Sequence, residues 1–336
     1  MATATPILSP SAENLERIRE ILRNGELAGV PTETVYGLGG NALQEAPLRR
    51  IFEVKGRPLI DPLILHFSAF ERAEPYIEGH RGLLQRLADR FWPGPLTLVV
   101  PKRSLVPDLA TAGLPSVAFR VPSHPTFRAL LSELDFPVAA PSANPFGYLS
   151  PTRPRHVAET LGGRVPAILD GGECAHGVES TIVDLRDPDT PTVLRHGPVE
   201  RRALDQVLGR STADAPSPDT AQNGGHAAPG MLKRHYSPRA ELQLFDTRTI
   251  RSRMRDLAES AEKDAFVFLE RPASENTRSN VYWLSEQGDL QEVARNLYAL
   301  LYQLDRQGIN RIRIETPPPN GLGEAITDRL RRAAAG

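Results

Sequence analysis

Four short stretches carry residue types that hold anions. PTETVYGLGG, residues 31–40, offers two threonine hydroxyls, a glutamate and a tyrosine, with Gly37, Gly39 and Gly40 behind them. Clustered backbone N–H groups beside small hydroxyls suit carboxylate or phosphate oxygens. Thr32 or Thr34 acting only as a helix or turn cap is the structural alternative. KGRP, residues 55–58, places Lys55 and Arg57 at the expected end of a helix, where the helix dipole favours cations with or without a ligand. PSANPFGYLSPT (141–152) supplies Ser142, Asn144 and Ser150, and GVESTIVDL (177–185) supplies Glu179, Ser180 and Thr181. Those residue types also build ordinary turns by bonding their own backbone.

His66, Arg120 and Arg195 each stand at or beside the end of an apolar run. Open α/β sheets place ligand-binding loops at strand ends, so convergence of these ends would build a local positive pocket. Any anion site has to be local. The chain has 336 residues with 40 Lys and Arg against 41 Asp and Glu, a formal charge of -1. That balance argues against a generic polyanion binder, whose affinity comes from many phosphate contacts.

A lone cysteine, Cys174, excludes internal disulfides and a multi-cysteine zinc cage and fits a reducing cytoplasm. Cys174 and His176 do not have the spacing of a catalytic thiol pair. No G-x-S-x-G elbow, H-E-x-x-H pair or Walker loop occurs. What remains is a polar, basic cradle that works by positioning and charge stabilisation, as phosphoryl and nucleotidyl transfer require. MATATPILSP at the N-terminus has neither a basic leader nor an unbroken apolar core, and no stretch is long enough to span a membrane. A soluble, cytoplasmic protein is expected.

The elements that must position these residues divide into two sets. Residues 8–208 alternate short apolar runs with helical patterns, an α/β domain. Ser11–Asn24 reads as an amphipathic helix stopped by Gly25, followed by a strand at Leu27–Val30 and a helix ending at Lys55-Gly56. Strands are expected at 63–67, 96–100, 117–121, 138–140, 167–169, 181–185 and 192–194, with helices at 83–91, 126–134 and 155–161. The last three strands leave little room for helices between them, so a mixed sheet is expected. Between Leu208 and Met231 there is no Leu, Ile, Val, Phe, Met, Trp or Tyr, so 209–238 reads as a tether, which ends in the basic and aromatic run Lys233 to Tyr236. Residues 239–336 form a smaller Rossmann-like α/β domain, with strands at 242–245, 266–269, 281–284 and 312–314 and helices at 250–260, 290–306 and 322–333. It lacks a glycine fingerprint for a dinucleotide.

PTETVYGLGG, KGRP…PLILHF, SVAFRVP, APSAN, SPT, DGG…GVESTIVD and VLRHGP, in this order and spacing, resemble the YrdC-like family. The trailing HYSP and small C-terminal domain resemble its long, two-domain Sua-type form. The resemblance implies an N-terminal twisted α/β domain with a basic cavity, and a nucleotidyltransferase activity. L-threonine, bicarbonate and ATP would give L-threonylcarbamoyl-AMP and pyrophosphate, the first step of threonylcarbamoyl-adenosine formation in tRNA.

It further implies that Thr34, His66, Arg120 and Ser180 surround threonine. Lys55, Arg57, Asp61, Ser116, Ser142, Asn144, Ser150, Arg195 and Tyr236 would surround ATP, with Lys55 and Arg57 neutralising its phosphates. Magnesium is expected with ATP, with Asp61 as a contact to it. Ser116 keeps the hydroxyl of a more usual threonine, and Phe146, in place of a common serine, is given no polar role. Expected partners are the three substrates, a downstream threonylcarbamoyl transferase and a weak tRNA contact. Tyr236 implies that the tether's end folds over the cavity as a lid that keeps water from a labile carbamate. A carbamoyltransferase working through a carbamoyl-adenylate and an RNA-binding module are the alternatives. The first is disfavoured by the lack of an acylphosphatase or zinc-finger segment, the second by the near-zero charge.

Overall fold

The computed structural model describes residues 4–215, 235–246, 263–272 and 279–335. Most of the tether, and the helix expected at 250–260, lie outside the described residues. The first half contains β1 (Ile7–Leu8), α1 (Ala12–Arg23), β2 (Ala28–Val30), β3 (Gly37–Asn41), α2 (Glu45–Lys55), β4 (Ile64–His66), α3 (Phe70–Ala73), α4 (Arg81–Phe91) and β5 (Leu96–Pro101). It continues with β6 (Ser116–Arg120), α5 (Pro125–Ser132), β7 (Val138–Ala139), α6 (Pro154–Leu161), β8 (Ala167–Leu169), β9 (Thr181–Asp184), β10 (Thr192–Arg195), α7 (Arg201–Leu208) and β11 (Ala213–Asp214). These strands form one mixed sheet in the order β1-β8-β2-β3-β7-β4-β6-β5-β9-β10-β11.

Local chemistry accounts for the first elements. Ser11 caps α1 by accepting the Asn14 N–H, Ile18 and Leu22 bury the apolar stripe, and Gly25 at φ 75° breaks the helix. Gly56 ends α2 in the left-handed region, which sets Lys55 and Arg57 on either side of the turn.

The glycines of PTETVYGLGG have a different task from the anion cradle expected of them. Gly37, Gly39 and Gly40 lie in β3, a buried strand paired with β2 and β7. A Cβ on Gly37 would sit 2.9 Å from the Ala140 Cβ, and one on Gly40 2.8 Å from a Leu27 methyl. They permit close packing, and only Gly37 reaches the cavity described below.

The second half holds β12 (Glu241–Phe245), β13 (Asp264–Glu270), β14 (Val281–Ser285), α8 (Leu290–Arg306), β15 (Arg311–Glu315) and α9 (Leu322–Ala334). Among the described residues its four strands are all parallel, in the order β12-β15-β13-β14, as a Rossmann-like sheet requires. The two halves share a core. Val35, Leu149, Val178 and Tyr236 pack in one cluster with Leu297, Tyr298, Leu301, Tyr302 and Leu330. Tyr302 donates to the Leu149 carbonyl at 2.8 Å and stacks on His156, and Tyr148 donates to Asp305 at 2.6 Å. A Cβ on Gly177 would lie 2.4 Å from the Arg295 Cα, so helix α8 docks directly on the loop that leads into β9.

Candidate active site

Three strands end at one place. His66, Arg120 and Arg195 are the last residues of β4, β6 and β10, and β4 and β6 run parallel with His66 opposite Arg120. Their side chains line one cavity together with Thr34, Arg57, Ser142, Ser180 and Tyr236. The convergence anticipated from strand ends is therefore present, and eight of the proposed site residues line the one cavity.

Arg120 is held on three sides. Its Nε donates to His66 Nε2 at 3.0 Å, Nη2 to Thr34 Oγ1 at 3.0 Å and Nη1 to Glu33 Oε1 at 3.2 Å. Both terminal nitrogens keep a second hydrogen, so the guanidinium is fixed in direction yet still able to grip a planar anion. Thr32 accepts the N–H groups of Thr34 and Val35 and donates to the Val35 carbonyl, which makes it the turn cap. Thr34 bonds to that hydroxyl at 2.8 Å and points its own oxygen at Arg120. The cap role thus falls to Thr32, while Thr34 faces Arg120.

Arg195 donates through Nε to the Ser180 carbonyl at 3.0 Å and through Nη2 to Ser180 Oγ at 3.1 Å. Thr97 on β5 bonds to the same hydroxyl at 2.8 Å. Burial lowers the basicity of Arg57 and Arg120, while Asp61 and Glu33 respectively oppose the shift.

Tyr236 is 1 % exposed, its hydroxyl has no hydrogen-bond partner, and its backbone sits at φ 63°. A bulky residue in the left-handed region is strained, and an orphaned buried hydroxyl is costly. Tyr236 thus packs in the shared core while carrying both of these costs. His235 beside it also leaves Nδ1 without a partner and packs its ring edge-on against Phe146, which has an apolar role as expected.

Five proposed residues do not line the cavity. Lys55 Nζ donates to the carbonyls of Ser142 and Asn144, each at 2.6 Å, and so anchors the SAN loop from behind. Burial, then Arg57, pushes its basicity well below the usual lysine range. Asn144 spends its amide on the Pro145 and Tyr148 carbonyls, both at 2.9 Å, and Ser150 donates to Glu179 at 2.5 Å. Ser116 begins β6, at the opposite end from Arg120. Asp61 is fully buried and pairs with Arg57 at 2.9 Å. That pair engages the carboxylate expected to contact magnesium. Among the described residues no group of three His, Cys, Asp or Glu could hold a metal, so the donor set does not fit a protein-held ion.

Cys174 is buried, and burial raises its thiol above the usual range, which agrees with a spectator. Among the described residues no helix is long and apolar enough to cross a membrane.

Residues 20–197 match the Sua5/YciO/YrdC family model, whose description is telomere recombination. The chain belongs to the Sua5/YciO/YrdC family. Residues 199–335 match a second model, the C-terminal domain of threonylcarbamoyl-AMP synthase. A threonylcarbamoyl-AMP synthase of Pyrococcus abyssi is 40% identical over 93% of this chain and 92% of its own length. One of Bacillus subtilis is 36% identical over 99% of this chain and 96% of its own. The crystal structure of P. abyssi Sua5 complexed with L-threonine matches with a TM-score of 0.88 at 37% identity, covering 99% of this chain and 98% of that one.

Within this Sua5-like framework the sequence alone missed several contacts. Glu33 braces Arg120, Thr97 holds Ser180, and Arg329 on α9 pairs with Glu179 at 2.8 Å. Glu33 was legible as part of PTETVYG. Thr97 inside an apolar run and Arg329 on an amphipathic helix carry no local signal.

Proposed function

We propose that this protein makes L-threonylcarbamoyl-AMP and pyrophosphate from L-threonine, bicarbonate and ATP, the first step of threonylcarbamoyl-adenosine formation in tRNA. The observation that carries this is the pairing, in one cavity, of a thrice-held arginine with an unpartnered tyrosine hydroxyl. The first suits an amino acid carboxylate and the second a nucleotide.

Arg120 grips the threonine carboxylate with its remaining N–H groups, worth about 1.5–3 kcal/mol as a charged hydrogen bond. Ser180, oriented by Thr97 and Arg195, and Thr34 lie around the rest of the amino acid. The threonine amine takes up bicarbonate with loss of water, and an oxygen of the resulting carbamate attacks the α-phosphorus of ATP. Pyrophosphate leaves with the electron pair of the broken P–O bond. Arg57, Arg195 and Tyr236 are assigned to the nucleotide, where the arginines offset charge building on the phosphates. Lys55, Asn144 and Ser150 support that half by fixing the loops behind it. Magnesium would accompany ATP and supply further charge neutralisation on its phosphates. No protein nucleophile is needed. The reaction is placed in the cytoplasm, where a downstream transferase would receive the labile adenylate and a weak tRNA contact would guide it.

Incubation with ATP, magnesium, L-threonine and bicarbonate should yield threonylcarbamoyl-AMP by mass, with pyrophosphate release requiring both threonine and bicarbonate. Turnover that instead required carbamoyl phosphate would overturn the assignment. So would salt-sensitive RNA binding without ATP turnover.

A further inference from the structure

Arg329 lies on α9, distant in sequence from every residue of the cavity, and is 1 % exposed. A guanidinium that deep needs partners, because its desolvation is otherwise uncompensated. Nε donates to Glu179 Oε2 at 2.8 Å, Nη2 reaches the Glu179 carbonyl at 3.4 Å, and Nη1 donates to the His196 carbonyl at 2.8 Å. Nη1 also pairs with Asp328 at 3.0 Å. Those two carbonyls belong to the residues next to Ser180 and Arg195. One side chain thus fastens together the segments that carry a threonine contact and a nucleotide contact.

Two further cavity residues depend on the same group. Its guanidinium carbon lies 5.4 Å from the centre of the Tyr236 ring, a cation–π distance. Glu179, held by Arg329, accepts Ser150 Oγ at 2.5 Å and lies 3.4 Å from the Tyr298 hydroxyl. Burial would raise the Glu179 pKa, yet Arg329, Arg195 and the hydrogen bonds from Ser150 and Arg329 together lower it, so the hub stays charged. Docking of the two halves does not account for this arrangement. Tyr302, Tyr148 and the Arg306–Glu159 pair already join them elsewhere, and none of these reaches carbonyls beside the cavity.

We infer that Arg329 is a positioning residue of the active site, supplied by the C-terminal domain, which sets Ser180, Arg195 and Tyr236 without touching substrate. The identity of the ligands rests on the proposed function. The test reads binding as well as turnover, so that the two can fail separately.

Full-length Arg329→Met and Arg329→Lys are compared with wild type and with Arg306→Ala, which removes an interface pair away from the cavity. L-threonine and α,β-methylene-ATP binding are measured by calorimetry, KM and kcat by pyrophosphate release, and melting temperature by circular dichroism. Arg329→Met should raise KM and Kd for both ligands by about ten- to a hundredfold, as misplaced binding groups do. Arg329→Lys should recover part of that loss through its charge but not through the carbonyl contacts. Arg306→Ala should lower the melting temperature slightly and leave KM unchanged.

A lowered melting temperature with unchanged KM and Kd in Arg329→Met overturns the proposal. If that variant does not fold, unchanged constants in Arg329→Lys do the same. Wild type that binds neither ligand overturns the functional assignment and this proposal with it. Wild type that binds both, alongside an Arg329→Met that binds them equally well, overturns this proposal alone.

Discussion

Arg120 Nε donates to His66 Nε2 across 3.0 Å at the paired ends of β6 and β4. That bond fixes the imidazole as an acceptor at Nε2, so its one proton sits on Nδ1 and faces the Val138 carbonyl at 3.3 Å. Burial, then the Arg120 charge, holds His66 neutral, with its pKa well below 6.5. A protonated ring would meet a guanidinium head-on.

The first prediction concerns acid. A histidine whose folded pKa is depressed takes up its proton in the unfolded chain first, so its stability contribution is complete above 6.5 and is lost as pH falls from there towards the folded value. His235 shifts the same way through burial and then Arg57, and burial brings His156 to about 3. Below the unfolded pKa each neutral buried histidine should cost roughly 1–2 kcal/mol per pH unit. Urea midpoints taken from about pH 7.5 down to about pH 5 should therefore fall with acidification. A flat profile would contradict neutral, buried imidazoles.

Arg120→Lys should cripple threonine use while leaving the nucleotide nearly untouched. Lysine keeps the charge but cannot hold His66, Thr34 and Glu33 at once and still offer two parallel donors. Loss of about 1.5–3 kcal/mol corresponds to roughly ten- to a hundredfold in the threonine KM. Calorimetry with L-threonine and with an ATP analogue separates the two effects. Equal losses for both would mean that Arg120 serves the nucleotide as well.

How much of this was legible follows from the range of the interactions involved. The helix at Ser11–Asn24, the stop at Gly56 and the strand ends at His66, Arg120 and Arg195 are written in neighbouring residues, so apolar pattern and glycine punctuation reveal them. Gly39 and Gly40 of β3 serve close strand packing, and a glycine needed for that looks the same in sequence as one needed by a phosphate. Lys55 and Ser150 bond to partners in distant loops, which local pattern does not contain, whereas Asn144 spends its amide on its own loop. Arg329 is the extreme case. On an amphipathic helix an arginine reads as solvated, and only packing against Glu179 and Tyr236 makes it a buried hub.

Tyr236→Phe should separate ligand binding from stability. The hydroxyl is buried without a partner, so its removal should leave the melting temperature unchanged or slightly higher. A lost neutral hydrogen bond to nucleotide is worth about 0.5–1.5 kcal/mol, a KM for ATP raised roughly two- to tenfold. A clear fall in melting temperature at unchanged KM would assign the tyrosine to the core instead.

Lys55→Met discriminates between two tasks for one ammonium. If Lys55 only neutralised phosphate, removing its charge would slow turnover and relieve a buried cation, and stability would hold or rise. In the structure it satisfies the Ser142 and Asn144 carbonyls, so the methionine variant leaves acceptors behind, at a cost of about 1–3 kcal/mol each. The expected result is a loss of roughly 2–5 kcal/mol in urea unfolding, together with weaker ATP binding, because the loop that carries Ser142 into the cavity loses its anchor. Lys55→Arg should rescue stability poorly, since Lys55 is buried and a fork does not match two carbonyls held by a single point donor. Unchanged stability in Lys55→Met, with ATP use lost, would return the lysine to the phosphates.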